Sequence, residues 1–302
     1  MSCTNQKPKN SLFRTALPIT LIAALSVGIF QQAGLFEPSP PTSVDFEPQT
    51  VVVPSRAYKY RSDGEFMKGT APVDAPMKAV VAADNLTITK YQVTASQYAA
   101  CVLDGGCAPA DAPPVTGVEI PVTGVSFDDA VAYARWLSDK TGDYWTLPTD
   151  EQLAQAAGKR FPDDALGLDP DNKNPAIRWI ADYEREARER SKRDPVPRPI
   201  GSFGENEFGL ADFGGNVWEW TSTCHRRVHL YKNGSVRASE AICGVYVTVA
   251  GHRSPVSSFI RDPKGGGCSV GTPPDNLGFR LVKSTRWYAP LLRKLRDTGW
   301  IA

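Results

Sequence analysis

GLADFGGNVWEW, residues 209–220, places the carboxylate of Glu219 between two tryptophans, directly after a glycine-rich turn. An ionised carboxylate is costly to remove from water unless it is paired with a cation or bound to a metal ion. A second block, NLGFR at residues 276–280, ends on Arg280, a basic residue able to neutralise that charge. The two blocks together predict a buried ion pair or a buried cation-binding loop.

The composition predicts a loop-rich globular protein. The chain has 302 residues, a net charge of +1 and 41% hydrophobic residues. This balance excludes a strongly basic nucleic-acid-binding protein and a globally disordered chain, so no nucleic-acid partner is expected. The 25 Gly and 25 Pro indicate many loops, and the 7 Trp supply large apolar anchors for a core.

The start of the chain has the charge order of an export signal. Basic residues precede an apolar run over residues 16–30, and no acidic residue occurs before Glu37. The basic end of such a segment is retained in the cytoplasm. We therefore predict that residues 1–36 export the protein to the periplasm and anchor it to the inner membrane. A small-x-small site at residues 26–28 leaves cleavage open as the alternative.

Composition also divides the rest of the chain. Residues 37–57 contain Pro and Ser in short succession and are predicted to be a linker. Residues 58–284 are predicted to form one domain, in which the mixed charges of residues 163–199 indicate a solvated helical insertion. A docking arm for a partner is the alternative for that insertion. Residues 285–302 are predicted to be a basic helical tail that caps the core, and contact with a membrane surface or a partner is the alternative.

Local patterns within the domain predict short helices and short strands. Helix caps and glycine stops define the helices, and alternating apolar residues define the strands. The predicted helices are 96–103 with Ser96 as its cap, 127–141 between Ser126 and Gly142, and one from Thr149 to Gly158; the predicted strands are 86–89, 91–94, 144–148 and several short ones after residue 203.

Five cysteines follow the predicted export signal, and an oxidising compartment favours their pairing. Cys101 and Cys107 close a short loop whose glycines permit a tight turn, so a disulfide is predicted there. Such a bond contributes about 2 kcal/mol on the chain-entropy description. Cys243 is expected to pair with either Cys224 or Cys268, and the sequence does not choose between them.

The three histidines offer a second candidate site. Cys224, His225 and His229 lie in one short segment, and a spacing of four residues would bring both histidines to one face of a helix. His252 would be a further nitrogen ligand, and Cys268, in a glycine-rich segment, is either a free thiol or part of a disulfide. Because surface histidines beside a structural cysteine explain the same pattern, His252 and Cys268 are candidate catalytic residues rather than assigned ones.

Four blocks of the sequence resemble the formylglycine-generating-enzyme, or sulfatase-modifying-factor, family. The resemblance implies an α+β, C-type-lectin-like fold that is loop-rich with short strands. The blocks occur in family order across residues 58–284, as KYQVTASQY at 90–98, PVTGVSFDDA at 121–130, WTLPTDE at 145–151, and the opening segment with NLGFR.

The resemblance also implies a structural calcium ion in the opening segment. Its ligands would be the side chain of Asp212, the carbonyls of Gly215 and Val217, and the carboxylate of Glu219. Hard oxygen ligands, two negative charges and glycines that turn carbonyls inward suit this ion. Pairing of Glu219 with Arg280 is the alternative.

The activity of the family does not transfer to this sequence. Family enzymes oxidise a sulfatase cysteine with O₂ and a copper ion that two cysteines hold shortly before the NLGFR block. Residues 244–267 contain neither Cys nor Met, the soft ligands that copper(I) requires. Copper is therefore not expected, and neither is formylglycine-generating oxidase activity.

The export signal, the Cys101–Cys107 loop and the missing copper cysteines most resemble the accessory protein encoded beside nitrite reductase in denitrifying bacteria. We therefore expect an accessory, maturation or binding protein linked to denitrification, with a periplasmic nitrite reductase or its maturation machinery as the partner. Two alternatives remain open. One is a metal-dependent oxidoreductase on the same scaffold with His and Cys ligands, and the other is a lectin-like ligand-binding module.

Overall fold

The computed structural model describes residues 47–111, 119–169, 174, 176–190, 196–262, 276–284 and a few positions between 288 and 298. The chain divides into a larger unit, Ser43–Arg286, and a smaller one made of Met1–Thr42 and Trp287–Ala302. In the smaller unit, the Thr298 N–H donates to the Lys294 carbonyl, as in a helical turn. The predicted anchor lies outside the described residues. Among those that are described, no helix has the length and hydropathy that a membrane span requires.

Strands make up most of the regular structure of the larger unit. Within its described residues they form a six-stranded, a four-stranded and a two-stranded sheet. The strands are β1 (Thr50–Val53), β2 (Ala57–Arg61), β3 (Glu65–Lys68), β4 (Ala71–Val73), β5 (Met77–Val81), β6 (Leu86–Thr89), β7 (Tyr144–Thr146), β8 (Trp218–Leu230), β9 (Val236–Val249), β10 (Arg253–Ser257), β11 (Leu277–Gly278) and β12 (Val282–Ser284).

The six-stranded sheet contains the two sequence blocks that carry the charges. Its order is β10-β9-β8-β3-β4, and β11 also pairs with β8. Strand β8 runs parallel to β3 and β11 and antiparallel to β9. Trp218 pairs with Leu277 and Glu219 with Gly278, so the WEW segment and the NLGFR block lie side by side.

The four-stranded sheet, in the order β1-β6-β12-β7, corrects the predicted linker. Residues 37–57 are not a linker from residue 50 onward, because Thr50–Val53 pair antiparallel with β6 and Val53 is buried. Three consecutive valines have a strong preference for an extended, half-buried strand, which outweighs the neighbouring prolines. Antiparallel strands β2 and β5 form the two-stranded sheet. The domain therefore begins before residue 58.

Helices α1 (Ala95–Leu103), α2 (Phe127–Thr141) and α3 (Asp150–Ala157) each begin with a capping box, and α4 (Ile177–Arg190) lies in the charged insertion. The predictions for α2 and α3 are confirmed, including Gly142 in the left-handed conformation that ends α2. Ser96 as the cap of α1 is wrong. The side chain of Thr94 caps this helix instead, and so it begins one residue earlier than predicted.

Strands β8 and β9 form a long hairpin, where short strands were expected after residue 203. Residues 236–244 of β9 are exposed, so these positions lack the alternation of buried and exposed side chains that indicates a strand. The Cys224–Cys243 disulfide cross-links the hairpin. This bond resolves the alternative left open for Cys243, and the predicted Cys101–Cys107 disulfide is confirmed as well.

The main core packs α2 against the WEW segment and the NLGFR block. The Trp220 indole donates from Nε1 to the Val125 carbonyl at 3.0 Å, and Tyr133 lies edge-on to Phe279 with ring centroids 5.4 Å apart. Residues 91–94, predicted as a strand, instead form an irregular segment in which the Val93 N–H donates to the Phe279 carbonyl. These contacts hold Glu219, between its two tryptophans, inside the protein.

Candidate functional site

Glu219 forms a completely buried ion pair with Arg280. The Arg280 Nε and Nη2 atoms donate to Glu219 Oε2 at 2.5 Å and Oε1 at 2.7 Å, and neither side chain is exposed. Gln92 Nε2 donates to the same Oε1 at 2.7 Å. This bidentate geometry is the strong form of a carboxylate–guanidinium contact. The alternative considered for Glu219, pairing with Arg280, is therefore present in the structure.

Arg280 also donates to two segments of backbone, the end of β6 and the glycine-rich turn. Its Nη1 donates to the carbonyls of Thr89 and Lys90 at 3.3 and 3.1 Å, and its Nη2 donates to the carbonyl of Ala211 at 3.0 Å. A buried charge is tolerated when every donor finds an acceptor. The pair therefore joins β6, the glycine-rich turn and β8 as a structural centre.

Asp212 is held in a cradle of backbone N–H groups next to this pair. The residue is buried and has a φ of 59°, a conformation that Asp tolerates better than most side chains. Its Oδ2 accepts from the Gly201 N–H at 2.5 Å and its Oδ1 from the Phe203 N–H at 2.8 Å. A Cβ on Gly215 would lie 2.6 Å from the Phe203 ring, so this turn requires glycine.

These contacts bear on the predicted calcium ion. Both carboxylates are hydrogen-bonded within the protein, and Arg280 already neutralises one of the two negative charges. The ligand chemistry of Asp212 and Glu219 is that of hard oxygens, although Glu219 Oε1 already accepts from both Gln92 and Arg280. Calcium on Asp212, Gly215, Val217 and Glu219 stays a prediction.

A second group of charges lines a cleft on the six-stranded sheet. We call it the polar cleft and define it by Asp63, Glu65, Asp182, Arg185, His225 and His252. Its cavity is about 80 Å³, and its walls come from the segment leading into β3, from β8, from the start of β10 and from helix α4. Within the described residues, no group of three or more His, Cys, Asp or Glu has a geometry that could hold a metal ion.

The structure places the predicted histidines in two different environments. His225 and His252 line the cleft, whereas His229 is exposed. The helix that would have brought His225 and His229 together is wrong, because both residues lie on strand β8. Four residues along a strand span about 13 Å, too far for one metal ion. Cys224 is bonded to Cys243 in a disulfide and so has no thiolate to bind a metal ion, and Cys268 lies outside the described residues.

His252 connects the cleft to the WEW segment. It is 3% exposed, and its ring lies edge-on to Trp218 with centroids 4.6 Å apart.

Burial lowers the pKa of His225, and Glu65, 4.0 Å away, only partly offsets this effect. His225 is therefore mainly neutral at neutral pH.

The charged insertion supplies residues of the cleft that sequence reasoning missed. Helix α4 was predicted as a solvated insertion, yet Asp182 is only 9% exposed and accepts a hydrogen bond from Arg185 at 2.9 Å. Burial raises the pKa of Asp182, and Arg185 opposes that effect. The exposed Trp179 and Tyr183 of the same helix stack on each other, so the docking arm stays a prediction. The sequence signal for this buried acid was the spacing of Arg178, Asp182 and Arg185, which places all three on one face of a helix.

At the wall of the cleft, Arg253 is shared by two acids. It donates from Nη1 to Asp150 at 3.0 Å and from Nε to Asp164. Asp150 is almost completely buried, and its burial raises its pKa to about 7. The nearby Asp63 and Asp164 add to this rise, while Arg253 opposes it. The effect of burial on the pKa of Asp150 exceeds that of Arg253, because this one guanidinium has to neutralise more than one carboxylate.

The sequence of this chain matches a known protein family over most of its length. A model of the sulfatase-modifying factor enzyme 1-like domain matches residues 35–285. This chain belongs to the sulfatase-modifying factor family. The predicted family and fold class are thereby confirmed: an α+β, C-type-lectin-like fold that is rich in loops.

Individual relatives of this sulfatase-modifying factor family member are distant. The chain is 31% identical over 120 residues to the formylglycine-generating enzyme of Mycobacterium tuberculosis, covering 34% of this chain and 33% of that protein. It is 26% identical over 179 residues to the inactive C-alpha-formylglycine-generating enzyme 2 of Mus musculus, covering 55% and 50%. The chain therefore spans about a third to a half of the length of these relatives.

A solved structure supports the fold. The structure of PvdO from Pseudomonas aeruginosa aligns with 82% of this chain and with all of PvdO, at 23% identity and a TM-score of 0.50. At this level of identity the similarity concerns the architecture of the domain alone.

Proposed function

We propose that this family member is an accessory or binding protein that does not generate formylglycine. The observation that carries this proposal is the state of the cysteines: all four that the structure describes are bonded in disulfides. Residues 244–267, where the family would hold copper, contain no Cys or Met. Thiolates and thioethers are the ligands that select copper(I), and this stretch offers neither. The similarity to an inactive relative supports the same proposal.

The proposed location is the periplasm, with residues 1–36 as an anchor in the inner membrane. Two disulfides among the described residues support an oxidising compartment. The proposed partner is a periplasmic nitrite reductase or its maturation machinery, which would link the protein to denitrification. This part of the proposal rests on the sequence resemblance, and the polar cleft offers a surface for a ligand or client group.

We also propose the structural calcium ion, with Asp212 and Glu219 as its charged ligands. A ligand that binds the native state stabilises it, by about 2.7 kcal/mol at a hundredfold excess over its dissociation constant. Calcium added to chelator-treated protein should therefore raise the melting temperature, and magnesium should do so less. If neither ion changes the melting temperature, the pair with Arg280 alone accounts for the burial of Glu219.

The oxidase activity is tested directly with a cysteine-containing sulfatase peptide, copper and O₂, followed by mass spectrometry. We expect the peptide to keep its thiol, while an active formylglycine-generating enzyme converts it under the same conditions. Conversion by this protein would overturn the proposal. Stoichiometric copper or iron that is lost in His252→Ala or Cys268→Ser would favour the metal-dependent oxidoreductase instead.

The partner is tested by purifying the full chain together with its membrane from cells that express a periplasmic nitrite reductase. We expect the reductase to co-purify, and an unrelated anchored protein to retain none. Reductase activity that is unchanged when the gene for this protein is deleted, together with no co-purification, would remove the link to denitrification.

A further inference from the structure

Helix α4 turns a charged side inward and an apolar side outward. Its residues Arg178, Asp182 and Arg185 line the polar cleft, and Asp182 is only 9% exposed. Trp179 and Tyr183, in contrast, are 56% and 59% exposed. A helix at the surface of a soluble protein normally buries its apolar stripe and exposes its charges, so this arrangement is the reverse of the usual one.

The outward residues form one continuous apolar face. Spacings of three and four positions place five exposed apolar residues on one side of the helix, and we call them the outer face of α4: Ala176, Trp179, Ile180, Tyr183 and Ala187. The Ala176 carbonyl accepts from the Ile180 N–H, so Ala176 belongs to the first turn. The rings of Trp179 and Tyr183 stack on each other with centroids 6.0 Å apart. A patch of this kind marks a surface that contacts another body.

The contacts on the inner side fix the orientation of the helix. Asp182 Oδ1 accepts from Arg185 Nη2 at 2.9 Å, and Asp182 Oδ2 lies 3.8 Å from Arg178 Nε. A rotation of α4 that buried Trp179 and Tyr183 would carry these three charges out of the cleft and separate them from its other walls. The outer face is therefore not covered by a simple rotation of its own helix.

The outer face is too small to hold a partner protein from solution by itself. Trp and Tyr side chains bury about 150–250 Å² each, so two rings that are a little over half exposed leave roughly 200 Å² in water. A stable protein–protein interface takes about 800 Å² from each partner. The size of the face therefore suits a surface that another part of the chain already holds nearby.

The proposed anchor brings a lipid surface within reach. The apolar run over residues 16–30 belongs to this anchor, which ends at Phe36, and ten residues separate Phe36 from Glu47, where the described residues begin. Ten residues span at most about 40 Å. A domain tethered this closely meets the bilayer at a high effective concentration, so a small apolar face is sufficient for contact. Trp and Tyr are also the side chains enriched at the membrane–water interface.

The charges beside the outer face do not oppose this contact. Glu184 and Arg188 are both exposed and lie one helical turn apart, at the spacing of an ion pair within a helix. Their charges sum to zero, so this face is neither attracted to nor repelled by anionic headgroups. Contact with lipid should therefore depend little on salt.

We infer that the outer face of α4 docks on the surface of the membrane that holds the anchor, with Trp179 and Tyr183 inserted among the lipid headgroups. Amphipathic helices bind in this way when their apolar face carries aromatic and aliphatic side chains. The contact would hold one wall of the polar cleft against the bilayer. This inference rests on the proposed anchor.

The test is fluorescence quenching of the full chain in phosphatidylcholine vesicles, with and without bromine on the acyl chains. Bromine quenches only the tryptophans that it approaches. We expect brominated lipid to quench the protein, and Trp179→Phe to reduce this quenching at least about twofold, because Trp179 is the residue that meets the lipid. Trp136→Phe, which removes a buried tryptophan, should leave the quenching unchanged. The same result is expected at low and at high salt.

A second pair of variants tests the apolar face itself. Ile180→Ser combined with Tyr183→Ser keeps Trp179 but removes its apolar neighbours, and should reduce the quenching about threefold or more. The matched control is Phe259→Ser, which removes an aromatic side chain that is 72% exposed elsewhere in the domain. This control should be quenched as the unaltered protein is.

The inference is overturned if Trp179→Phe leaves the quenching unchanged or if the double variant is quenched like the unaltered protein. Photo-crosslinking from position 183 to a protein and not to lipid, in intact cells, would also overturn it. Alkaline extraction of the vesicles tests the anchor separately. A chain that is retained while Trp179 is not quenched refutes the docking and leaves the anchor in place. A chain that is extracted refutes the anchor, and the quenching then decides the docking by itself.

Discussion

The buried pair of Glu219 and Arg280 and the polar cleft contain the same chemical groups and satisfy them differently. Both oxygens of Glu219 accept hydrogen bonds, and Arg280 donates to one carboxylate and three carbonyls. In the cleft, Asp63 Oδ2 and Arg185 Nε have no hydrogen-bond partner among the residues that the structure describes. Gln92, which donates to Glu219, also has a buried oxygen without a partner among the described residues. The two clusters therefore differ in the pairing of their charged groups, not of all their polar groups.

The pair of Glu219 and Arg280 is also held by residues outside the cleft. The pair with Arg280 joins the WEW segment to the NLGFR block and needs no group from the cleft. Of the cleft residues, His252 packs against Trp218 of this centre, whereas the hydrogen bonds of Asp63 and Arg185 do not involve Glu219 or Arg280. The fold and the site depend on separate sets of charges.

The largest expected effect comes from breaking the buried pair. Arg280→Met should lower the free energy of unfolding by about 3–5 kcal/mol, because it leaves Glu219 charged and unpaired out of water. The matched control is Lys78→Met, which removes an exposed partner of Glu151 and should cost about 0–1 kcal/mol. Urea denaturation measures both. A cost below that of the control would mean that the pair is not a structural centre.

Removing the hairpin disulfide should have the next largest effect. Cys224 and Cys243 are 19 residues apart, and Cys101 and Cys107 are 6 apart. On the chain-entropy description, replacing the first pair by serines costs about 3 kcal/mol and replacing the second about 2 kcal/mol. Hydrogen exchange should show the first change loosening the hairpin beside His225 while amides around Glu219 stay protected. Equal loss of protection at both places would contradict the separation of fold and site.

The dependence of stability on pH should report the buried acid behind the cleft. Burial raises the pKa of Asp150 from 3.8 to about 7, so between these values the folded protein keeps a proton that the unfolded chain has lost. Raising the pH through this window therefore decreases stability, by up to about 1.4 kcal/mol per pH unit. Asp150→Asn, which mimics the protonated acid, should flatten this decrease in urea denaturation between pH 5 and 7.

The control for this experiment is Asp128→Asn, which changes an exposed acid in the first turn of α2. It should leave the slope as it is in the unaltered protein. A slope that Asp150→Asn does not change would show that Arg253 keeps Asp150 ionised throughout the window.

The smallest expected effect is that of Asp63→Asn on stability. Asn keeps an oxygen that can accept from Arg226, and Arg226 is about a third exposed, so the change should lower the free energy of unfolding by about 1 kcal/mol or less. A large destabilisation, similar to that of Arg280→Met, would place Asp63 in the fold and not in the site.

Local signals in the sequence predicted the elements whose causes are local. Ser126 and Thr149 cap their helices as expected, and Cys101 and Cys107 are joined across their short loop. The predictions that failed depend on distant partners. Residues 50–53 are a strand because β6 lies beside them, and His229 is exposed because β8 continues as a strand where a helix was expected.

The candidate site was the hardest part to predict. The sequence drew attention to His252 and to His225 but did not indicate Asp63 or Arg185. Asp63 lies more than a hundred residues from the helix that carries Arg185, and no local pattern links them. Only the packing of helix α4 near β4 brings both to one cavity.

By itself, the sequence of this protein determined its family, its capping residues and the need of Glu219 for a positive partner. These follow from short-range chemistry: a carboxylate between tryptophans, glycines in a turn, and hydroxyl groups at helix starts. The tertiary structure decided that Arg280, 61 residues away, is that partner, and that Asp63 and Arg185 share a cleft. Contacts between distant residues depend on how whole sheets and helices pack, which no local pattern encodes.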